Sequence, residues 1–355
     1  MGHRANYVIV ESGRASIHHS QFGALNIAVD ALLGPQELAD YAGELETRDK
    51  LTDDTWCEGA LLADYDVRLL LLHTDHGPAR ESIGFRRAYL AVLRERWPGW
   101  QVRWATRDQA DIVDHLGMNP ENVIEDRSPQ WPAMTVADVV AGLGVAYTVF
   151  NKPVTTEDYR RSVDLTESPP GLGGPHAETV LTVRFADGAI RDFSCGWDIP
   201  VGAALDTGPG LLAALADQAG HRLPNELCAG EGAFVDARTR RIWAWPTPRR
   251  RGLERSAQRW PGWTVGWHDE GLPEQAARSG RPPAPYRLTA DRLLRLGARL
   301  LGAGQEQVWS CLEEHAAALR QQGGQILHQS RRPPARADLP DERAQAFLAR
   351  ILAHA

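Results

Sequence analysis

The sequence predicts an α+β protein made of two tandem copies of a β-β-α-β-β-α-β module with antiparallel sheets, followed by a helical C-terminal extension. The first reason is an aromatic string that occurs twice, as RWPGWQVRW at residues 96–104 and as RWPGWTVGW at residues 259–267. The second is a set of matching landmarks upstream of each string. The third is the segment after the second string, where apolar residues recur at helical spacing.

The landmarks repeat in the same order in the two halves. A Gly-Pro step and a Glu-Gly-Ala step occur in each half, at Gly34-Pro35 and Gly208-Pro209, and at Glu58-Gly59-Ala60 and Glu231-Gly232-Ala233. The two offsets, 174 and 173 residues, nearly agree, which favours a diverged duplication. Tandem copies commonly face each other across a pseudo-twofold axis, which predicts a ligand cleft between them.

Each copy opens with a predicted hairpin and a short helix. Residues 5–12 and 14–20 form alternating or β-branched runs around a Ser-Gly turn, and residues 179–185 and 189–194 do so around an Asp-Gly turn. The Gly-Pro step then starts a helix, because proline is favoured in the first helical turn.

A second hairpin, a longer helix and a final strand complete each copy. The second hairpin turns at Asp64–Asp66 in the first copy and at Asp236–Thr239 in the second. In GFRRAYLAVLRERW, the apolar residues Phe85, Tyr89 and Val92 lie opposite the arginines, which predicts an amphipathic helix. The Pro-Gly step ends this helix, and WQVRW or WTVGW then alternates as a strand.

These patterns divide the chain into four segments. The first repeat spans residues 1–117, and a connecting segment with the Pro/Gly-rich linker TESPPGLGGPH spans residues 118–175. The second repeat spans residues 176–280, and the helical extension spans residues 281–355.

Six of the twelve tryptophans lie in the two repeated strings, and they have two interpretations. The functional interpretation is a stacking platform for a ligand, with candidate binding residues Trp104, Trp267, Trp243 and Trp245. The structural interpretation is that the indoles cover one face of the sheet and anchor the preceding helix. Burial of roughly 150 Å² or more by each indole favours the structural interpretation.

Composition and charge restrict the class of protein. A chain of 355 residues with 43% hydrophobic residues can bury a large core, and its net charge of −7 opposes nucleic-acid binding. The N-terminal residues lack the pattern of a signal peptide, and no run approaches the roughly 18 apolar residues of a membrane span, so we expect a cytoplasmic protein without a membrane partner. The four cysteines form no C-x-x-C pair, and the abundance of Arg and Ala suggests a bacterial origin.

One departure from the repeat marks a candidate site. The first copy has ten more residues than the second between the glutamate and tryptophan landmarks, and this surplus contains His73, Asp75 and His76 after a predicted strand. Imidazoles beside a carboxylate can act as a general base or as metal ligands. The spacing fixes no third ligand, so no metal is assigned and the cofactor remains unknown.

The two landmark glutamates, Glu58 and Glu231, complete the set of candidate catalytic residues. Two carboxylates brought together across a twofold axis would raise each other's pKa and could divide acid and base roles. The alternative is a structural role at the start of each strand, in capping or in hairpin contacts.

Three functions remain open from the sequence. The first is an intracellular binding protein, such as an immunity protein, an antitoxin or a regulatory partner, with an unidentified protein or small-molecule ligand in the cleft between the copies. The alternative is a small-molecule enzyme with acid–base chemistry of the hydrolase or lyase type, using His73, Asp75, His76 and a glutamate. The third is a nucleic-acid binder that uses Arg249–Arg251 with the neighbouring tryptophans, which the net charge opposes.

Overall fold

The computed structural model describes residues 3–124, 133–143, 148–149, 152–153, 176–195, 199–225, 227–245, 253–268, 271–301 and 341–354. The chain forms two compact units. Unit 1 comprises Met1–Ala79, Arg87–Glu125 and Ala290–Ala355, and unit 2 comprises Arg80–Arg86 and Asp126–Thr289. The predicted linker lies outside the described residues except for its last residue, His176, so the four predicted segments stay a prediction.

Unit 1 contains a six-stranded sheet. Its strands are β1 (Arg4–Glu11), β2 (Arg14–Ser20), β3 (Glu46–Arg48), β4 (Cys57–Asp64), β5 (Leu69–Thr74) and β6 (Gln101–Trp104). They lie in the order β3-β2-β1-β4-β5-β6. The pairs β1/β2, β2/β3 and β4/β5 are antiparallel, whereas β1/β4 and β5/β6 are parallel. Both hairpins predicted for the first copy are therefore confirmed.

Helices connect these strands. In the first part of the chain they are α1 (Ile27–Asp30), α2 (Pro35–Gly43), α3 (Pro78–Glu81), α4 (Ile83–Arg96) and α5 (Gln109–His115). Helix α2 begins at Pro35, as the Gly-Pro step predicts, and Gly34 before it has a φ of 85°. Only glycine adopts that backbone conformation at little cost, which explains the residue at this turn.

Unit 2 contains a five-stranded sheet. After α6 (Val136–Ala141) and a small two-stranded sheet of β7 (Thr148–Val149) and β8 (Lys152–Pro153), its strands are β9 (His176–Arg184), β10 (Ile190–Cys195), β11 (Cys228–Asp236), β12 (Arg241–Trp245) and β13 (Thr264–Trp267). Its other helices are α7 (Val201–Asp206), α8 (Gly210–Ala216), α9 (Leu253–Gln258) and α10 (Leu272–Arg278). The strand order is β10-β9-β11-β12-β13.

The prediction of antiparallel sheets is wrong, because both sheets are mixed. The parallel pairs in unit 2 are β9/β11 and β12/β13. Strand β2 returns the chain to the end where β1 began, so β4, which starts at that end, runs parallel to β1. Between β5 and β6 the helix α4 carries the chain back along the sheet, and a helical crossover of this kind joins parallel strands.

The two sheets share their strand order and strand directions. The order β2-β1-β4-β5-β6 in unit 1 corresponds to β10-β9-β11-β12-β13 in unit 2, with the same sequence of antiparallel and parallel pairs. Strand β3 is an addition at the edge of unit 1. This agreement is what two copies of one module would have in common, although their origin by duplication stays a prediction.

Two helices from the predicted C-terminal extension belong to unit 1. They are α11 (Ala290–Leu300) and α12 (Asp341–Ala353). Arg343 of α12 contacts Glu37 at 2.7 Å, and Arg350 contacts Glu95 at 2.7 Å. Residues 302–340 of the predicted helical extension lie outside the described residues.

Candidate functional site

Glu58 lies at an irregularity in the sheet of unit 1. Along the parallel pair β1/β4, Arg4 is opposite Cys57 and Ala5 is opposite Gly59, so Glu58 has no partner residue on β1. An extra residue of this kind bends a strand and redirects its side chain, and such bulges often occur near functional sites. The sequence alone gave no sign of this register shift.

Two histidines reach Glu58 from neighbouring strands. His3 directly precedes β1, and His76 follows β5, the strand on the other side of β4. The backbone N–H of Asp75 donates to the carbonyl oxygen of Glu58 at 2.7 Å, which continues the β4/β5 pairing past the end of β5. This backbone contact places His76 beside Glu58.

The three side chains meet at one carboxylate oxygen. Glu58 Oε2 lies 2.6 Å from His3 Nδ1 and 2.6 Å from His76 Nε2, and the two nitrogens are 3.2 Å apart. The imidazole rings pack edge to face with centroids 4.7 Å apart. The side chains of His3, Glu58 and His76 are 28%, 35% and 29% exposed, so the cluster is accessible from solvent.

These three residues offer atoms suited to a metal ion. One nitrogen from each histidine and one oxygen from Glu58 all lie within 4.8 Å of one another. Among the described residues, no other group of three histidine, cysteine or carboxylate side chains has its ligand atoms this close together. Two imidazole nitrogens and one carboxylate oxygen are a ligand set that zinc uses in proteins.

The other two residues of the predicted loop occupy different places. His73 belongs to β5, opposite Ala60, because the strand extends two residues further than the sequence pattern indicates. Its side chain is buried, with Nδ1 at 4.0 Å from Asp108 Oδ1. Asp75 contributes its backbone N–H to Glu58. From the predicted set, the structure thus brings together Glu58 and His76. Neither His73 nor Asp75 belongs to the converging group, which consists of His3, Glu58 and His76.

Glu231, which matches Glu58 in the repeat, has structural contacts in unit 2. Its Oε1 accepts a hydrogen bond from Thr179 Oγ1 at 3.0 Å and one from the backbone N–H of Val201 at 2.5 Å. Val201 is the first residue of α7, and a carboxylate at a helix N-terminus is favoured by the helix dipole. Each of the two glutamates therefore has partners within its own unit.

The four candidate tryptophans make packing contacts. Trp104 is buried, and Trp245 is buried with its Nε1 donating to Gln275 Oε1 at 2.5 Å. Trp243 stacks on Phe234, with centroids 5.5 Å apart. Trp267 is partly buried against the core of unit 2. These contacts are those of structural residues, and a role in ligand binding stays a prediction.

The cysteine next to Glu58 is not poised for chemistry. Burial raises the pKa of the Cys57 thiol to about 12. The thiol donates to the carbonyl oxygen of Gly59 at 3.0 Å and accepts from Asn6 Nδ2 at 3.2 Å. Cys195 is likewise buried, and its pKa is raised to about 12. Both thiols are protonated near neutral pH and are poor nucleophiles or metal ligands.

His3 is the residue of this site that the sequence did not reveal. It lies 55 residues from Glu58 and 73 from His76, and it belongs to no motif. Its approach depends on the parallel pairing of β1 with β4, whereas the sequence predicted antiparallel sheets.

Comparison of the chain with protein-family models, with curated proteins and with solved structures found no match. In the part of the chain that the structure describes, no helix combines the length and apolar character needed to cross a membrane.

Proposed function

We propose that this chain is a binding protein whose ligand is a divalent transition-metal ion, held in unit 1 by His3, Glu58 and His76. The observation that carries the proposal is the convergence of two imidazole nitrogens on one carboxylate oxygen, each at 2.6 Å. The metal ion would be the ligand of the intracellular binding protein that the composition and the repeat suggest. A protein partner of the immunity or regulatory type stays a prediction.

Two imidazole N–H groups can both donate to Glu58 Oε2, because a carboxylate oxygen has two lone pairs, but the two donors then lie close together. A neutral imidazole has one N–H, so a nitrogen that faces Glu58 Oε2 presents either a hydrogen or a lone pair. If both nitrogens carry hydrogens, two hydrogens crowd one oxygen while their nitrogens are 3.2 Å apart. If either nitrogen lacks its hydrogen, its lone pair faces the carboxylate oxygen. A cation between the three atoms would accept all three lone pairs and remove both conflicts.

The ligand types indicate which metals fit. Imidazole nitrogen suits zinc, copper, nickel and iron, whereas magnesium and calcium prefer sites built from oxygen ligands. With two nitrogens and one oxygen, we expect zinc to bind and magnesium to compete poorly. The metal binding requires neutral imidazoles, so it should weaken in acid.

Isothermal titration of the full chain with Zn²⁺ tests the proposal. Wild-type protein should bind one ion per chain, and His76→Gln and Glu58→Gln should each weaken binding by about 100-fold or more. Even the substitution of a residue that only orients a metal ligand lowers metal affinity by roughly 10- to 100-fold. Circular dichroism would establish that each variant is folded.

His115→Gln is the matched control. His115 Nε2 lies 2.7 Å from Asp64 Oδ2, so this pair in unit 1 has the same His–carboxylate contact without belonging to the converging group. The control should bind Zn²⁺ as the wild type does. Equal affinity in wild type and in folded His76→Gln would refute the proposal.

A second candidate function is metal-free acid–base catalysis by His76. The observation that favours it is the 2.6 Å contact between Glu58 and His76, in which the carboxylate can orient the imidazole as a general base. This alternative predicts that the protein hydrolyses an activated ester such as p-nitrophenyl acetate in the presence of EDTA. His76→Ala should abolish that hydrolysis. An unchanged rate in this variant would exclude catalysis by His76.

A further inference from the structure

We infer that the metal ion at His3, Glu58 and His76 keeps a coordination position open to solvent, and that this position takes an exchangeable anionic oxygen donor of the carboxylate or hydroxamate class. The inference rests on the proposed function and adds to it a second ligand, which binds to the metal ion. It follows from the number of protein ligands, their exposure and their charge.

The number of ligands is the first observation. Structural zinc sites take four ligands from the protein, whereas sites that exchange a ligand take three and leave the fourth position to water or substrate. The converging group among the described residues has three members. The neighbouring Cys57 is buried and donates its thiol hydrogen to Gly59, and His73 lies against Asp108. Neither is placed to act as the fourth ligand.

Exposure is the second observation. Each of the three side chains is between 28% and 35% exposed, so solvent reaches the cluster. Water can therefore occupy the remaining position, and a small ligand can replace it.

Charge determines the type of ligand that is favoured. Two neutral imidazoles and one carboxylate leave a divalent ion with one positive charge in excess. A bound cation is commonly the largest local charge in such a site, so an anionic donor gains more than a neutral one. Oxygen donors with a single negative charge, such as hydroxamates and carboxylates, match this requirement.

Unit 2 supplies an internal contrast. At the matching position, Glu231 is buried and already accepts hydrogen bonds from Thr179 and from the N-terminus of α7. We therefore expect the exchangeable site at the glutamate of unit 1 and not at the matching glutamate of unit 2.

Cobalt substitution tests the inference on the full chain. Co²⁺ at the site should give visible d–d absorption, and added acetohydroxamate should change this spectrum saturably. The metal should remain with the protein after filtration. Folded His76→Gln should show neither the absorption nor the change, whereas His115→Gln should show both.

The possible results separate the two proposals. If Co²⁺ binds but acetohydroxamate leaves the spectrum unchanged, the coordination is closed, so the inference is overturned while the proposed function stands. If acetohydroxamate removes the metal, giving the spectrum of the protein-free complex in the filtrate, the inference is also overturned. If wild-type protein binds neither Co²⁺ nor Zn²⁺, the proposed function itself fails.

Discussion

Trp97 and Trp260 are anchored in the same way in their respective units. Each buried indole donates from Nε1 to a backbone carbonyl oxygen at 2.7 Å, that of Ala31 for Trp97 and that of Leu205 for Trp260. The next tryptophan in each string packs edge-on against the first, with centroids 4.7 Å apart in unit 1 and 4.8 Å apart in unit 2. The repeated aromatic string therefore has a structural role in both units.

Replacing either anchor should destabilise its unit. Trp97→Phe and Trp260→Phe keep an aromatic ring but remove the indole N–H that donates to Ala31 or Leu205. The carbonyl oxygen of Leu205 still accepts from the backbone N–H of Gly208 at 3.0 Å. We expect Trp97→Phe to lower the free energy of unfolding by about 2–3 kcal/mol, since an unsatisfied buried group costs roughly 1–3 kcal/mol and the smaller ring leaves space. Trp260→Phe should cost less, about 1–2 kcal/mol, because the space left by the smaller ring is then the main loss. Urea unfolding would measure this change. Trp56→Phe is the control, because Trp56 is 57% exposed and should change stability by less than about 0.5 kcal/mol.

The two matching glutamates should respond differently to truncation. Glu231→Ala removes the acceptor for Thr179 and for the first N–H of α7, so we expect a loss of about 2–3 kcal/mol in thermal or urea unfolding. Glu58→Ala removes a partly exposed side chain and should cost less than about 1 kcal/mol. Equal losses in the two variants would contradict the distinction between a structural and a functional glutamate.

Two glycines should respond differently to substitution by alanine. Gly208 has a φ of 72°, and a Cβ there would lie 3.0 Å from the carbonyl oxygen of Arg259. Gly208→Ala should therefore cost about 1–3 kcal/mol. Gly43, at the end of α2, has no atom within 4 Å of such a Cβ and has no positive φ. Gly43→Ala should be neutral or stabilise by about 0.5 kcal/mol in the same unfolding assay.

Burial of His19 should make the stability of the protein depend on pH. His19 lies on β2 between Asn6 of β1 and Glu46 of β3, and burial, aided by the charge of Arg48, lowers its pKa from 6.5 to about 4. The unfolded chain therefore binds more protons than the folded chain between these values, so stability is lost as the pH falls from about 6.5 towards 4.

His19→Gln removes this contribution and keeps a polar group near Thr52. The free energy of unfolding of the wild type should fall between pH 7 and pH 4.5 by about 2 kcal/mol more than that of the variant, after allowance for solvent screening. Urea titrations at several pH values would measure the slope of the free energy of unfolding against pH for the wild type and for the variant. Parallel slopes would contradict the assignment to His19.

The sequence by itself determined the local elements of this protein. The Ser-Gly and Asp-Gly turns, the Gly-Pro start of α2 and the amphipathic pattern of α4 each depend on residues that are neighbours along the chain. For that reason the hairpins and the helices α2 and α4 agree with the prediction. The glutamate at the start of β4 and the histidine after β5 were also recognisable as candidates, because both lie at the ends of strands.

Only the tertiary structure decided the directions of the strands and the composition of the site. Parallel pairing of β1 with β4, and the register shift that leaves Glu58 unpaired between Arg4 and Ala5, depend on how distant segments pack into one core. A pattern of alternating residues has the same form in parallel and antiparallel strands, so it cannot specify which strands meet. His3 therefore reaches Glu58 and His76 through contacts that no local motif encodes.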